Sequence, residues 1–298
     1  MRIFSLMGGI VRANPHTAML CAAGVFSFWC ARAHADDVSP IGANVDNYVT
    51  GTMDNSYVWY EQGFNPNAPA TGLPPAGVIQ SETNPNWSFR LQPYTGNNVL
   101  LLNHASPVGS MSLMHASTVT NIAIAVATGL GPATMVPTIH FADSTPDYVA
   151  SLPQEPDWGS AQPQMLVTGY GRVTTYAYTD YFGVFREAGD LNDVGIAAPN
   201  IDIQTITLPA NLASHPIASI SFDQTMTTNG AAPYLTNTAI FGISSSTDDG
   251  TTYTPLDLTS SSFNKDVVVE AAALPEPAAG MTVILALVAL ARRRGSIV

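Results

Sequence analysis

Along much of the chain, apolar and polar side chains alternate with a period of two. Ile217-Ala-Ser-Ile220-Ser-Phe222 and Ile201-Asp-Ile203-Gln-Thr-Ile206-Thr-Leu208 are clear examples. Successive side chains of a strand point to opposite faces, so this period marks half-buried β-strands. Strands are predicted at Trp87–Leu91, Asn98–Leu102, Thr118–Ala127, Thr134–Ala142, Asp147–Leu152, Val173–Thr179, Ile201–Leu208, Ile217–Asp223, Thr238–Ser244 and Val267–Ala272. In Thr118–Leu130, Val119, Ile122, Ile124 and Val126 favour a strand over a helix. No stretch of ten or more residues has convincing helical spacing. Turn-forming clusters separate the runs: Asn65-Pro-Asn-Ala-Pro69, Leu73-Pro-Pro75, Asp143-Ser-Thr-Pro146 and Asp249-Gly250. Many short strands divided in this way predict an all-β domain over residues 36–273, an antiparallel β-sandwich or jelly roll.

Both ends break the pattern with continuous apolar runs. Thr17–Trp29 is uncharged, follows Arg2 and Arg12, and leads to Ala33-His34-Ala35. These are the parts of a secretory signal peptide, expected to span residues 1–35 and to be cut after Ala35. Ala31-Arg32-Ala33 offers a second candidate cut. Both cysteines, Cys21 and Cys30, fall inside this leader. The mature chain is therefore expected to use no disulfide, thiol nucleophile or Cys-ligated zinc. At the other end, Pro275-Glu276-Pro277 precedes an uncharged run, Ala278–Ala291, and then Arg292, Arg293 and Arg294. A helix over 278–291 would reach about 21 Å at 1.5 Å per residue. That is short of the ~30 Å hydrocarbon layer, so snorkelling arginines and local thinning would have to help. The arginines would stay on the cytoplasmic side.

Charge narrows the partners. Only 11% of the 298 residues are charged, against roughly 25% in ordinary soluble domains. That composition excludes a coiled coil and a polytopic membrane protein. Between Asp36 and Pro275 there are 21 acidic residues but only four basic ones, Arg90, Arg172, Arg186 and Lys265. Such a body repels phosphate backbones, so no nucleic-acid partner is expected.

Chemical motifs are sparse. His104, His115, His140 and His215 form no HExxH or H-x-H pattern, and His140 alternates with Ile139 and Phe141 toward solvent. No nucleophile elbow, dinucleotide fingerprint or P-loop is present. No catalytic residue, metal site or cofactor is therefore assigned. Calcium is the ion best matched to the hard oxygen groups available, with Asp248-Asp249-Gly250 and Asp190-Leu-Asn-Asp193 as candidate loops. A glycosidase would need two facing carboxyls about 5–9.5 Å apart, which a linear sequence does not reveal. Asp157, Trp158 and Trp59 are the candidate carbohydrate-binding residues, because an indole face stacks on a sugar ring while a carboxylate accepts from its hydroxyls. The same tryptophans could instead fill the core, and Trp87, at a strand start, is expected to do so.

The ordered tail of Pro275, Glu276, Pro277, the apolar run and the arginine cluster resembles the PEP-CTERM sorting signal over residues 274–298. The resemblance implies an exosortase partner, transient anchoring in the inner membrane and delivery to the cell surface, commonly alongside exopolysaccharide and biofilm. Asn97–Leu102, Thr138–Asp143, Pro156-Asp-Trp158-Gly and Ala239–Ser244 make the body similar to the β-sandwich modules that often precede this tail. They imply a galactose-binding-like jelly roll without an established activity. The expectation is a secreted, non-enzymatic envelope or matrix protein with extracellular polysaccharide as a candidate partner. The alternative is a glycoside-hydrolase-type enzyme using paired carboxylates.

Overall fold

Asn121-Ile-Ala-Ile-Ala-Val-Ala-Thr-Gly129 alternates bulky with small apolar residues, not apolar with polar ones. A strand of this kind has no face suited to water. The computed structural model describes residues 57–271, apart from 161, 169–170, 175–177, 180–184, 188, 190, 193–198 and 227–235. In it, the whole of this strand is buried. The expected signal peptide with Ala33 and Ala35, and the tail with Pro275–Pro277, 278–291 and Arg292–Arg294, lie outside the described residues. Among the described residues, no helix is long and apolar enough to cross a membrane.

Among the described residues the regular structure is nearly all β. Its central sheet runs in the order β17 (Thr254–Pro255), β16 (Asn237–Ser246), β6 (Asn121–Gly129), β14 (Ile201–Thr207) and β9 (Met165–Val167), with β4 (Leu100–Leu102) also paired to β16. A second sheet has the order β5 (Val108–Ser117), β15 (Ile217–Met226), β7 (Ala133–Phe141) and β8 (Tyr148–Val149). A third has the order β13 (Leu191–Asn192), β10 (Arg172–Thr174), β1 (Tyr57–Tyr60) and β18 (Val268–Val269). Two hairpins, β2 (Gly77–Gln80) with β3 (Ser88–Leu91) and β11 (Tyr178–Thr179) with β12 (Phe185–Arg186), complete the set. Pairing is antiparallel except between β1 and β18.

Two hydrophobic cores lie on opposite faces of the central sheet. Ala123, Ala125 and Ala127 of β6 join Trp59, Trp158, Phe241, Ile201 and Ile203 in the first. Ile122, Ile124 and Val126 join Met135, Ile139, Ile206, Ile220 and Phe222 in the second. The small face of β6 thus leaves room for the indoles, and its large face fills the space toward β7 and β15. β7 keeps the expected half-buried pattern, with every second residue buried, because only one of its faces is covered. β14 departs from it. Asp202 and Gln204, which alternate with isoleucines like solvent-facing residues, are buried because this half of β14 is covered on both faces; the strand reaches solvent only at Thr205 and Thr207.

Several predicted boundaries also move. Val108–Ser117 was not among the predicted strands; Met111 is buried among exposed and half-buried neighbours, so the alternation is faint. Val173–Thr179 divides between β10 and β11, which belong to different sheets. Val267–Ala272 contracts to Val268–Val269.

The two-core arrangement makes Ala125 intolerant of bulk. Ala125→Leu should cost about 1–3 kcal/mol by overpacking the indole side, read as an earlier midpoint in urea or thermal unfolding. A wild-type midpoint would mean that this face of β6 is not tightly packed.

Candidate functional site

The segment from Pro153 to Gln164 is rich in proline, with Pro153, Pro156 and Pro163. Proline offers no N–H to a ladder, so the segment crosses the sheet edges with only isolated bridges. Glu155 pairs with Ala133, its N–H donating at 2.7 Å and its carbonyl accepting at 2.8 Å. Asp157 bridges to Thr128, and the Trp158 N–H donates to the Thr128 carbonyl at 2.7 Å. Three positions apart, Glu155 and Trp158 end in different surroundings.

Trp158 enters the first core with 0% of its surface exposed. Its ring meets Trp59 edge-on at 4.6 Å, and Trp59, also 0% exposed, meets Phe241 at 5.1 Å. The Arg172 guanidinium lies 4.2 Å from the Tyr57 ring centroid and 5.6 Å from that of Trp158. Neither indole offers a face to a sugar, which corrects the candidate stacking role of Trp158 and Trp59: they are core residues. Trp87 packs on Tyr253, as expected of a core tryptophan. The Asp157 carboxylate is also committed. One oxygen accepts from the Gly131 N–H at 3.2 Å and the other from the Gly159 N–H at 3.1 Å. A Cβ at Gly131 would lie 2.8 Å from the Asp157 nitrogen, so this close approach requires glycine. Asp157 locks its own loop.

Glu155 instead faces a polar recess of about 220 Å³, shared with Gln162, Gln164, Asp202 and Gln204. Glu155 and Asp202 are each 1% exposed and Gln204 is 7% exposed. The Gln204 amide donates to Glu155 Oε2. Glu155 Oε1, both Asp202 oxygens, Gln204 Oε1 and Gln164 Oε1 are buried and accept no hydrogen bond. Burial pushes the Glu155 carboxyl well above the ordinary range, and the facing Asp202 pushes it further, against the Gln204 amide. Burial raises Asp202 too, while its contact with Glu155 pulls it back. Two carboxylates attract only when they share a proton or a cation. The recess escaped sequence reading because Asp202 and Gln204 sit in a strand that looks half-solvated, and Glu155 sits in a loop that looks exposed.

Two histidines make defined contacts on the second sheet and the loops beside it. His140 projects from the outer face of β7, as its alternation predicts. Its Nδ1 meets Asp147 Oδ2 at 2.9 Å and its Nε2 meets Ser221 Oγ at 2.8 Å. This is the connectivity of a nucleophilic triad. However, β15 is flanked by β5 and β7 on both sides of Ser221, so its N–H groups there belong to ladders and are not free to hold an oxyanion. Asp147 is 53% exposed, so the constellation has little shelter from water. His215 Nδ1 lies 2.8 Å from Asp143 Oδ2 and 2.6 Å from Thr145 Oγ1. Thr145 and His215 hold the Asp143 carboxyl down at about 2.

Of the candidate calcium loops, Asp248 uses its Oδ1 within its own turn, accepting from Ser246 Oγ and from the Thr252 N–H. Asp190 and Asp193 lie outside the described residues. Among the described residues, no three His, Cys, Asp or Glu side chains gather as a metal-binding group.

Two measurements check these assignments. Trp158→Ala should cost roughly 3–5 kcal/mol of stability, as removal of a core aromatic does. A variant with an unchanged unfolding midpoint would return Trp158 to the surface. The recess gives a pH signature. Carboxyls raised in the folded state stabilise it fully below their unfolded values, about pH 4, and lose that contribution as pH climbs through the folded values. Asp202→Asn should therefore match wild type near pH 5 and unfold later than wild type near pH 8, both in chelator. Parallel thermal midpoints at the two pH values would contradict the shared-proton pair.

Compared with known protein families, characterised proteins and solved structures, the chain matches none, so its function has to be read from its own residues.

Proposed function

We propose that the chain is an exported protein of the cell surface or exopolysaccharide matrix, with a jelly-roll-like β-sandwich body in a structural or binding role and not a catalytic one. The observation that carries this reading is the order of parts in the sequence. A basic, acid-free leader precedes an acidic body without cysteine, and Pro275-Glu276-Pro277, an apolar run and Arg292–Arg294 follow it. An exosortase would act at Pro275-Glu276-Pro277 while the helix over 278–291 is held in the inner membrane.

The body supports a binding role more than a hydrolytic one. Glu155 and Asp202 are close enough to share a proton. A glycosidase pair needs about 5–9.5 Å between its carboxyls to admit the sugar and, in inverting enzymes, a water. With Trp59 and Trp158 in the core, polysaccharide contact falls to polar surfaces. The outer face of the second sheet offers them, with Ser110 beside Ser221, Ser112 beside Ser219, and Thr138 and His140 on β7. Hydroxyls and an imidazole on one sheet face suit a polyhydroxylated chain.

Mass spectrometry of the protein recovered from the cell surface tests the sorting step. The mature form should begin at Asp36 and lack Arg292–Arg294. The double variant Glu276→Ala, Pro277→Ala should accumulate as a longer, membrane-retained form. Surface protein that still carried the arginine cluster in an unmodified chain would refute the proposal.

A further inference from the structure

We propose that the recess between the Pro153–Gln164 segment and β14 is a calcium site, with Glu155 and Asp202 as carboxylate ligands and Gln164 and Gln204 as amide-oxygen ligands. The inference does not rest on the export reading.

The observation behind it is a surplus of acceptors. Five buried oxygens from these four side chains accept no hydrogen bond. Waters entering the open side can donate to some of these oxygens, but they leave the two facing carboxylates repelling each other, and a single proton shared between the carboxyls leaves most of the oxygens unsatisfied. A bare cation satisfies all of them at once. Gln204 is an independent witness, since it is not acidic, is only 7% exposed, and still lacks a donor to its Oε1. A buried amide oxygen without a donor carries the desolvation penalty of about 1–3 kcal/mol unless something else coordinates it.

The backbone holds the four ligands ready. Glu155 is fixed by its two hydrogen bonds with Ala133. Asp202 and Gln204 lie in register with Val126 and Ile124 on β6. Gln164 is held by its carbonyl, which accepts from the Ile203 N–H at 2.9 Å. Carboxylate and amide oxygens are hard ligands, which suits calcium and not a transition metal. The recess opens to solvent on one side, so waters can bring the coordination to the 6–8 that calcium takes. Magnesium needs near-ideal octahedral geometry and gives up its waters reluctantly, a poor match to ligands from three irregularly spaced segments.

Electroneutrality points the same way. The body carries 21 acids against four bases. No lysine or arginine is among the residues that line the recess, so a cation from solution is the counter-charge that suits it.

The full chain, stripped with EDTA and dialysed, tests this by calorimetric titration with calcium chloride at pH 7.5 and by thermal unfolding. Wild type should bind one calcium and melt about 5 °C or more higher in saturating calcium. Asp202→Asn and Gln204→Leu should weaken calcium binding at least tenfold. Asp202→Asn removes a buried charge, so it should still fold. Equal melting of wild type with EDTA and with millimolar calcium, or calcium binding that survives Asp202→Asn undiminished, would overturn the proposal. A response to magnesium alone would overturn it as well.

Discussion

The middle of the central sheet, β6 and β16, is dry on both faces, and most of what is distinctive here follows from that. A sheet with one wet face can spend every second residue on solubility. β6 and β16 cannot, and both are buried from end to end. Their two faces differ in volume instead of polarity. On β6, alanines face one core and isoleucine or valine the other. Interiors pack as densely as organic crystals, so small residues on one strand demand large ones opposite. Trp59, Trp158 and Phe241 are those large residues. A tryptophan in a polar, proline-rich loop is thereby drawn inward, because the alanine face would otherwise leave a cavity.

The same dryness turns Asp202 and Gln204 into a site. On a half-solvated strand they would be ordinary outward residues. On the covered half of β14 they lie with Glu155 and Gln164 around a recess. An isolated carboxylate in such surroundings is costly, and the group answers by taking up a proton or finding a cation. The acids elsewhere show the contrast. Asp143, Asp157 and Asp248 accept from hydroxyls, backbone amides or an imidazole, of their own turns or of a neighbouring loop, and each is partly or wholly open to water. The recess is where the chain provides too few donors.

Much of the strand content was legible, because period-two patterning survives wherever one face is wet. β7 and β15 match their predicted spans within a few residues for that reason. Strands β1 and β9 were not legible. Tyr57-Val-Trp-Tyr60 and Met165-Leu-Val167 are too short for a period to emerge. The candidate site was not legible at all. Trp158 and Asp157 looked like a sugar platform because both residue types suit one, yet the ring is the plug of a core and the carboxylate the lock of a loop. The residues that do converge were visible only as polar punctuation. Linear spacing cannot say that residues 155, 164, 202 and 204 meet, since three separate crossings of the sheet edge bring them together.

The placement of Glu155 and Trp158 on one short segment ties the polar recess to the apolar core. Glu155 is anchored at Ala133, where β7 begins, and Trp158 at Thr128, near the end of β6. Between them Asp157 holds Gly131 of the connecting turn. The Trp158 carbonyl in turn accepts from the Asn200 N–H, just before β14 delivers Asp202. Strands β6, β7 and β14 are thus joined through residues 155–158, a stretch with no regular ladder of its own. A segment of this kind, held by bridges and side-chain locks, gains little from cooperative pairing and much from each fixed point. Neutralising the Glu155–Asp202 pair, by proton or by metal, removes a repulsion at one end of the segment whose other end closes the first core. The charge state of a small polar recess therefore bears on how firmly the largest buried rings of the domain are held.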